Sequence, residues 1–285
     1  MDNPTLWVSL VVVATAVQPI LVKLGYRVEL DALQLLLMKN LLSALIVLPF
    51  VKSFRWLDRD EFWRIARISV FILGINGFSL LALELLPAAV VVTLTTTVPV
   101  FVALVNIILG RERNSFKFWL GLGISLVGVA LVTQIVAALV NGKVVIDSWL
   151  GVLATFAAIA CAVTYRVNME KLTHTFEPKL LWIWCFWINA VVIFAVALPF
   201  VSMPKIEALP LAAGVGLSAA IANSAFLWAI RSVGATSTSV FQLLQRPFIL
   251  FCTASILGEF LSTSQWMGAL LVIVGVGLAR PKQLC

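Results

Sequence analysis

Few side chains in this 285-residue chain could do chemistry, and those few sit where charge is costly. Lys39 and Arg246 each lie inside a long apolar run. A bare charge at that depth in a bilayer costs roughly 3 kcal/mol or more, so each requires a hydrated cavity or a partner. Ser239, Gln242 and Arg246 recur at i, i+3 and i+7, which places them on one face of a helix. Facing lipid, such a stripe would be left unsatisfied, so it is expected to line a cavity. Asn76, Asn223 and Gln18, the last directly before Pro19, add neutral polar groups to the candidate set. Cations beside amides and a hydroxyl suit the binding of an anionic or carboxylate-bearing solute. Carbonyls freed near Pro247, or Glu84, are the alternative partners for the two cations. Glu84 is also the carboxylate placed to carry a coupled proton.

Catalysis is not expected. The sequence lacks a phosphate-cradling glycine loop, a cluster with metal-ligand spacing, and a nucleophile with a placed base, so no cofactor or metal is implied. Cys161, Cys185, Cys252 and Cys285 show no paired spacing. The single histidine, His174, falls in a charged stretch and reads as a solvated residue.

The elements that must position these groups are membrane helices. The chain is 62% hydrophobic and 12% charged, which leaves too few charges to make a polar skin for a soluble core. Ten apolar runs of about 17 to 23 residues follow one another: 5–23, 32–51, 65–86, 88–109, 117–139, 148–167, 180–201, 208–230, 235–257 and 263–279. The fold class is therefore all-α, a polytopic membrane protein of ten transmembrane helices, the first an uncleaved span. The net charge of +7 would fit nucleic acid, but its distribution points elsewhere. With a cytoplasmic N-terminus, fourteen Lys and Arg fall on inner segments and four (Lys23, Arg27, Lys143, Lys205) on outer loops. The positive-inside rule then places both termini in the cytoplasm and accounts for the basicity without a nucleic-acid partner.

The chain repeats itself. Residues 108–131, ILGRERNSFKFWLGLGISLVGVAL, resemble 256–278, ILGEFLSTSQWMGALLVIVGVGL. A shift of 147 superposes Glu112 on Glu259, Trp119 on Trp266, Gly121 on Gly268 and Gly128 on Gly275; a shift of 148 superposes Pro99 on Pro247. Asn76 matches Asn223, and Leu48-Pro49-Phe50-Val51 recurs at 198–201. Residues 1–140 and 141–285 thus form two five-helix repeats. Five being odd, the second repeat enters the membrane from the opposite side, the inverted arrangement of many secondary transporters. Lys39 and Arg246 break the repeat, falling opposite Asn189 and Val98.

Both repeats resemble the EamA-type domain of the drug/metabolite transporter superfamily. The resemblance rests on Leu109-Gly110-Arg111-Glu112 and Leu257-Gly258-Glu259, each followed by Trp-x-Gly and a glycine-rich helix, with Pro99 and Pro247 in the preceding helices. Arg111 departs from the usual glycine-glutamate pair. The resemblance implies a carrier working by alternating access, with a central cavity lined by the first four helices of each repeat. Its partners are the bilayer, a small-molecule substrate and a coupling proton or counter-substrate, and its expected location is the inner membrane of a bacterium. An amine or multidrug exporter is the alternative, for which Trp182, Trp184 and Trp187 would form an aromatic cage; the interfacial belt is their simpler reading. An intramembrane enzyme would need a polar catalytic cluster that is not found, and a channel or receptor would not need the repeat. Substrate, direction and oligomeric state are not encoded in these motifs. The topology predicts that single cysteines placed at positions 58, 114 and 174 are labelled from the cytoplasm and one at 143 from outside. Labelling of 143 from the cytoplasm alone would overturn it.

Overall fold

The computed structural model describes residues 3–27, 32–48, 55–86, 88–141, 148–197, 200, 209–257 and 262–279. Every regular element among them is helical, and none is a strand. The α-helices in chain order are α1 (Pro4–Arg27), α2 (Ala32–Val47), α3 (Arg59–Leu85), α4 (Ala88–Thr95), α5 (Val98–Ile108), α6 (Phe116–Val132), α7 (Ile135–Val140), α8 (Trp149–Thr175), α9 (Pro178–Ala197), α10 (Leu209–Phe241), α11 (Gln245–Leu257) and α12 (Thr263–Leu278). Among the described residues, four stretches are long and apolar enough to cross a membrane: Val90–Ile108, Trp149–Thr175, Pro178–Ala197 and Leu209–Cys252. Shorter apolar helices cover Pro4–Gln18, Leu33–Val47, Phe116–Val132 and Thr263–Leu278. Helices suit lipid because each satisfies its own backbone.

Several expected runs are subdivided, and the reasons are local. Pro99 has no N–H for the carbonyl of Thr95, and α4 ends at that residue. Pro247 stands in the same relation to Leu243, which lies in a 3-10 turn at Gln242–Leu244 between α10 and α11. The equivalent helices of the two repeats are thus interrupted at the same place. The eighth run and the start of the ninth follow each other without an intervening loop: α10 consists of two helical segments that meet at a kink at Gly234, whose backbone is not helical (φ 80°, ψ 165°). That conformation is essentially restricted to glycine.

The helices gather into two compact units, each drawing on both sequence repeats. One contains Met1–Leu73 with Asn168–Ser232, the other Gly74–Val167 with Val233–Cys285, and the chain passes between them inside α3, α8 and α10. In the first unit α2 and α9 run antiparallel. Leu37 packs on Ile193 and Ala197, whereas Val47 packs on Ile183 and Phe186. Ser43 Oγ donates to the carbonyl of Gly216 at 2.8 Å, and Trp182 Nε1 to that of Ala220 at 3.1 Å, tying α2 and α9 to α10.

In the second unit α6 and α12 pack backbone to backbone. A Cβ on Gly121 would lie 2.5 Å from the carbonyl oxygen of Gly275, and one on Gly275 would lie 2.5 Å from that of Gly121. The pair Gly128 and Gly268 behaves alike, at 2.7 and 2.6 Å. Gly121 corresponds to Gly268 in the repeat and Gly128 to Gly275, so exchanging the repeats turns one contact into the other. This is a local two-fold, isologous packing of antiparallel helices. Gly123 and Gly277 on the same helices meet nothing within 4 Å. Overpacking costs about 1–3 kcal/mol. Gly128→Leu and Gly275→Leu, at equivalent positions of the two repeats, should therefore lower the thermal midpoint in detergent by similar amounts, while Gly277→Leu should not; unequal losses for the first two would contradict the two-fold contact.

Candidate functional site

The polar groups of the second unit converge on the segment that follows Gly234. Thr236, Ser237, Thr238 and Ser239 are all buried. Thr238 Oγ1 donates to the Gly234 carbonyl at 2.8 Å and Ser239 Oγ to that of Ala235 at 2.7 Å, so the hydroxyls satisfy the backbone where the helix restarts. Two neighbouring helices attach here. Asn106 of α5, fully buried, donates from Nδ2 to Thr236 Oγ1 at 3.0 Å and to Glu112 Oε1 at 3.3 Å. Arg166 of α8 donates from Nη1 to Ser239 Oγ at 2.7 Å. Arg111, the residue that departs from the family motif, donates from Nη1 to the carbonyl of Val167 at 3.3 Å and so holds the end of α5 to α8.

One helical turn further on the pattern changes. Gln242 opens the 3-10 turn, and its Oε1 is buried with no hydrogen-bond partner. Arg246 stands in the first turn of α11, half-buried, directly before Pro247, and makes no hydrogen bond or ion pair among the described residues. It was expected twelve residues into a continuous helix; the structure places it instead just after the interruption. The stripe Ser239, Gln242, Arg246 therefore has two parts. Ser239, 1% exposed, is fully engaged with Arg166 and Ala235. Gln242 Oε1 and the Arg246 guanidinium have no partner among the described residues.

The remaining candidates are distributed. Asn76, on α3 in the second unit, is half-buried and makes no hydrogen bond among the described residues. Asn223, its counterpart on α10 in the first unit, donates from Nδ2 to the Ala219 carbonyl of its own helix at 3.1 Å. Gln18 is half-buried in α1, which continues through Pro19. Lys39 is half-buried near the middle of α2, again without a hydrogen bond or ion pair among the described residues. The register of α2 on α9 sets Lys39 about level with Ile193, while Asn189, whose buried Oδ1 is unpartnered, lies about level with Leu42 and Ser43 one turn away. The side chain of Glu84, and the residues Gly258, Glu259, Lys143, Lys205 and Cys285, lie outside the described residues. Trp182, Trp184 and Trp187 do not converge: Trp182 reaches α10, Trp184 packs edge-on against Phe62 of α3, and Trp187 is exposed.

Arg166 is the residue that sequence reasoning missed. With the sixth apolar run ending at 167, Arg166 falls at the inner end of that run, among the fourteen basic residues of the inner segments. The signal was the continued pattern of Val167, Met169 and Leu172, all buried, which extends α8 to Thr175.

Apolar helices of membrane length, interrupted in matching places and carrying spare polar groups at the interruption, define a membrane carrier of small molecules. A sequence profile of the EamA-like transporter family matches residues 4–134 and again 149–280, so the chain belongs to that family. It is an integral membrane transporter and not an enzyme. Its backbone is similar to that of a protein solved by crystallography, with a TM-score of 0.79, 14% identity, and coverage of 97% of this chain and 96% of the other; at that identity the likeness concerns the fold alone. No curated protein matches the chain. Because Gly234 occupies a conformation that costs other residues about 1–3 kcal/mol, Gly234→Ala should lower the thermal midpoint in detergent well beyond Gly277→Ala; equal midpoints would mean the break is not held by glycine.

Proposed function

We propose that the protein is a ten-span secondary carrier, an exporter or exchanger, that moves a small anionic or carboxylate-bearing metabolite such as an amino acid or phosphorylated compound by alternating access. Arg246 is its principal solute contact. One observation carries this reading: a guanidinium within an apolar span, at the interruption of a discontinuous helix, without a partner among the described residues. Leaving a buried cation unpaired is unfavourable unless something else pairs with it, and an anionic solute completes the site. Gln242, one turn before Arg246, leaves its Oε1 to accept from a donor on the same ligand, such as the ammonium of an amino acid, and Ser239 holds the turn through Arg166. Asn76, Asn223, Gln18 and Lys39 are further contacts along the solute path. A proton or counter-substrate supplies any uphill step, both termini face the cytoplasm, and the membrane is the bacterial inner membrane.

The aromatic alternative, a carrier of amines or drugs, draws no support from the three tryptophans of α9, which point three ways. If Arg246 binds the solute directly, Arg246→Ala removes charge-assisted hydrogen bonds worth about 1.5–3 kcal/mol each, at least tenfold in affinity. Arg246→Lys should rescue incompletely, since an ammonium lacks the planar fork. The measurement is thermal-shift binding across metabolite classes, with the folded fraction of each variant recorded. A folded Arg246→Ala protein with undiminished affinity would falsify the role.

A further inference from the structure

The packed pair α6 and α12 carries a feature that solute transport does not use. On one side of the pair lies an apolar groove of about 380 Å³, lined by Trp119, Leu120, Gly123, Ile124, Val127 and Leu271. Leu120 and Val127 are 49% and 57% exposed along it. Its floor is Gly123, where an added Cβ would meet nothing within 4 Å. Unlike Gly121 and Gly128, this glycine is not required by helix packing. Lys117 shares the groove's face of α6, since positions 117, 120, 124 and 127 follow helical spacing.

Lys117 is badly placed for the helix it occupies. It lies in the first turn of α6, where the helix dipole favours an acid over a cation. It is exposed and makes no ion pair among the described residues. Arg113, also exposed and unpaired among them, stands four residues earlier. Glu112 does not offset this charge, being turned toward Asn106.

The repeat supplies an internal control. Under the shift of 147, Gly123 corresponds to Leu270 and Lys117 to Ser264. The two-fold contact keeps the glycines at its centre identical, yet on α12 the hollow is occupied by a leucine side chain and the cation is replaced by a hydroxyl. The hollow and the charge occur together on α6 and are missing together from the matching positions of α12.

We infer that the groove on α6 is a binding site for one anionic phospholipid, its acyl chain lying over Gly123 between Trp119 and Leu271 and its phosphate paired with Lys117 and Arg113. A cavity of this size is within the range that holds a ligand chain. A wholly apolar lining inside a membrane span selects an acyl chain, and a basic collar at the end of the span selects an anionic headgroup. Trp119, packed edge-on against Phe118, closes the groove at the level where indoles border the headgroup region.

The test is native mass spectrometry of the full-length protein, released from detergent after titration with phosphatidylglycerol or with phosphatidylcholine of the same chains. Wild-type protein should retain phosphatidylglycerol preferentially. Lys117→Ser, which copies the residue of the other repeat, should lower that retention about fivefold, the effect of one basic residue near a membrane surface, and leave phosphatidylcholine unchanged. Gly123→Leu, again copying the other repeat, should reduce retention of both lipids. Neither variant should shift the lipid-free thermal midpoint downward, because Lys117 opposes its helix and Gly123 touches nothing. Equal retention of the two lipids by wild-type protein would overturn the inference, as would retention insensitive to both substitutions. A protein dimer dissolved by Gly123→Leu would also overturn it, by assigning the groove to a second copy of the chain.

Discussion

A backbone in hydrocarbon has no water to bond to, so every interruption of a helix has to be satisfied by the protein itself. The hydroxyl residues of this chain follow from that constraint. Where α4 gives way to α5, Thr95, Thr96 and Thr97 donate in succession to the carbonyls of Val92, Thr93 and Leu94. Where α6 gives way to α7, Thr133 donates back to Val129 and lies 3.0 Å from Thr93 of α4. After Gly234, Thr238 and Ser239 perform the same service. At the 3-10 turn before α11 stand Gln242, with an unpartnered oxygen, and Arg246, without a protein partner among the described residues. Among the described interruptions, this is the one that carries a charge.

Packing obeys a second consequence of the same solvent. Lipid tails are as apolar as leucine, so helices associate through close contact and not through release of water. The glycines of α6 and α12 bring two backbones within direct contact, and the exchange symmetry of those contacts shows the repeats to be antiparallel at this point. α2 and α9 achieve an antiparallel contact with larger side chains and keep only Gly216 of α10 small against Leu42. The two sets of contacts belong to different compact units, although each joins one repeat to the other.

Much of this architecture was legible in the residues because it depends on strong, local signals. Apolar length marks the helices, and paired Trp, Pro and Gly mark the repeat. The compact units were not legible, since each collects helices from both repeats by contacts that no local pattern encodes. Nor was the tight kink within α10. Arg231-Ser232-Val233-Gly234 reads as a loop between two spans, but one glycine in a conformation closed to other residues redirects the helix without a loop. Arg166 was hidden by the opposite error, an arginine taken to end a helix that continues beyond it. The polar candidates divide for a related reason: spacing shows which side chains share a face but not which already have partners. Asn223 bonds to its own helix and Ser239 to Arg166, whereas Arg246 has none among the described residues.

A two-fold scaffold presents matched surfaces, but a small metabolite has no two-fold symmetry, so specificity must come from the positions where the repeats differ. The interruptions before Pro99 and Pro247 are equivalent in backbone and opposite in chemistry. The first is closed by threonine hydroxyls and carries Val98; the second carries Arg246 at the corresponding place. Asn106 shows the same departure in residue type, reaching from the first repeat to Thr236 of the second while its repeat counterparts are Thr253 or Ala254. Selection on the scaffold acts on glycine, proline and tryptophan in both copies at once, while selection on the solute acts on one copy only. In an inverted-repeat carrier the residues that break the pattern are therefore the first to suspect of contact with a ligand. That criterion separates Arg246 from the symmetric pair Asn76 and Asn223 on physical grounds before any substrate is known.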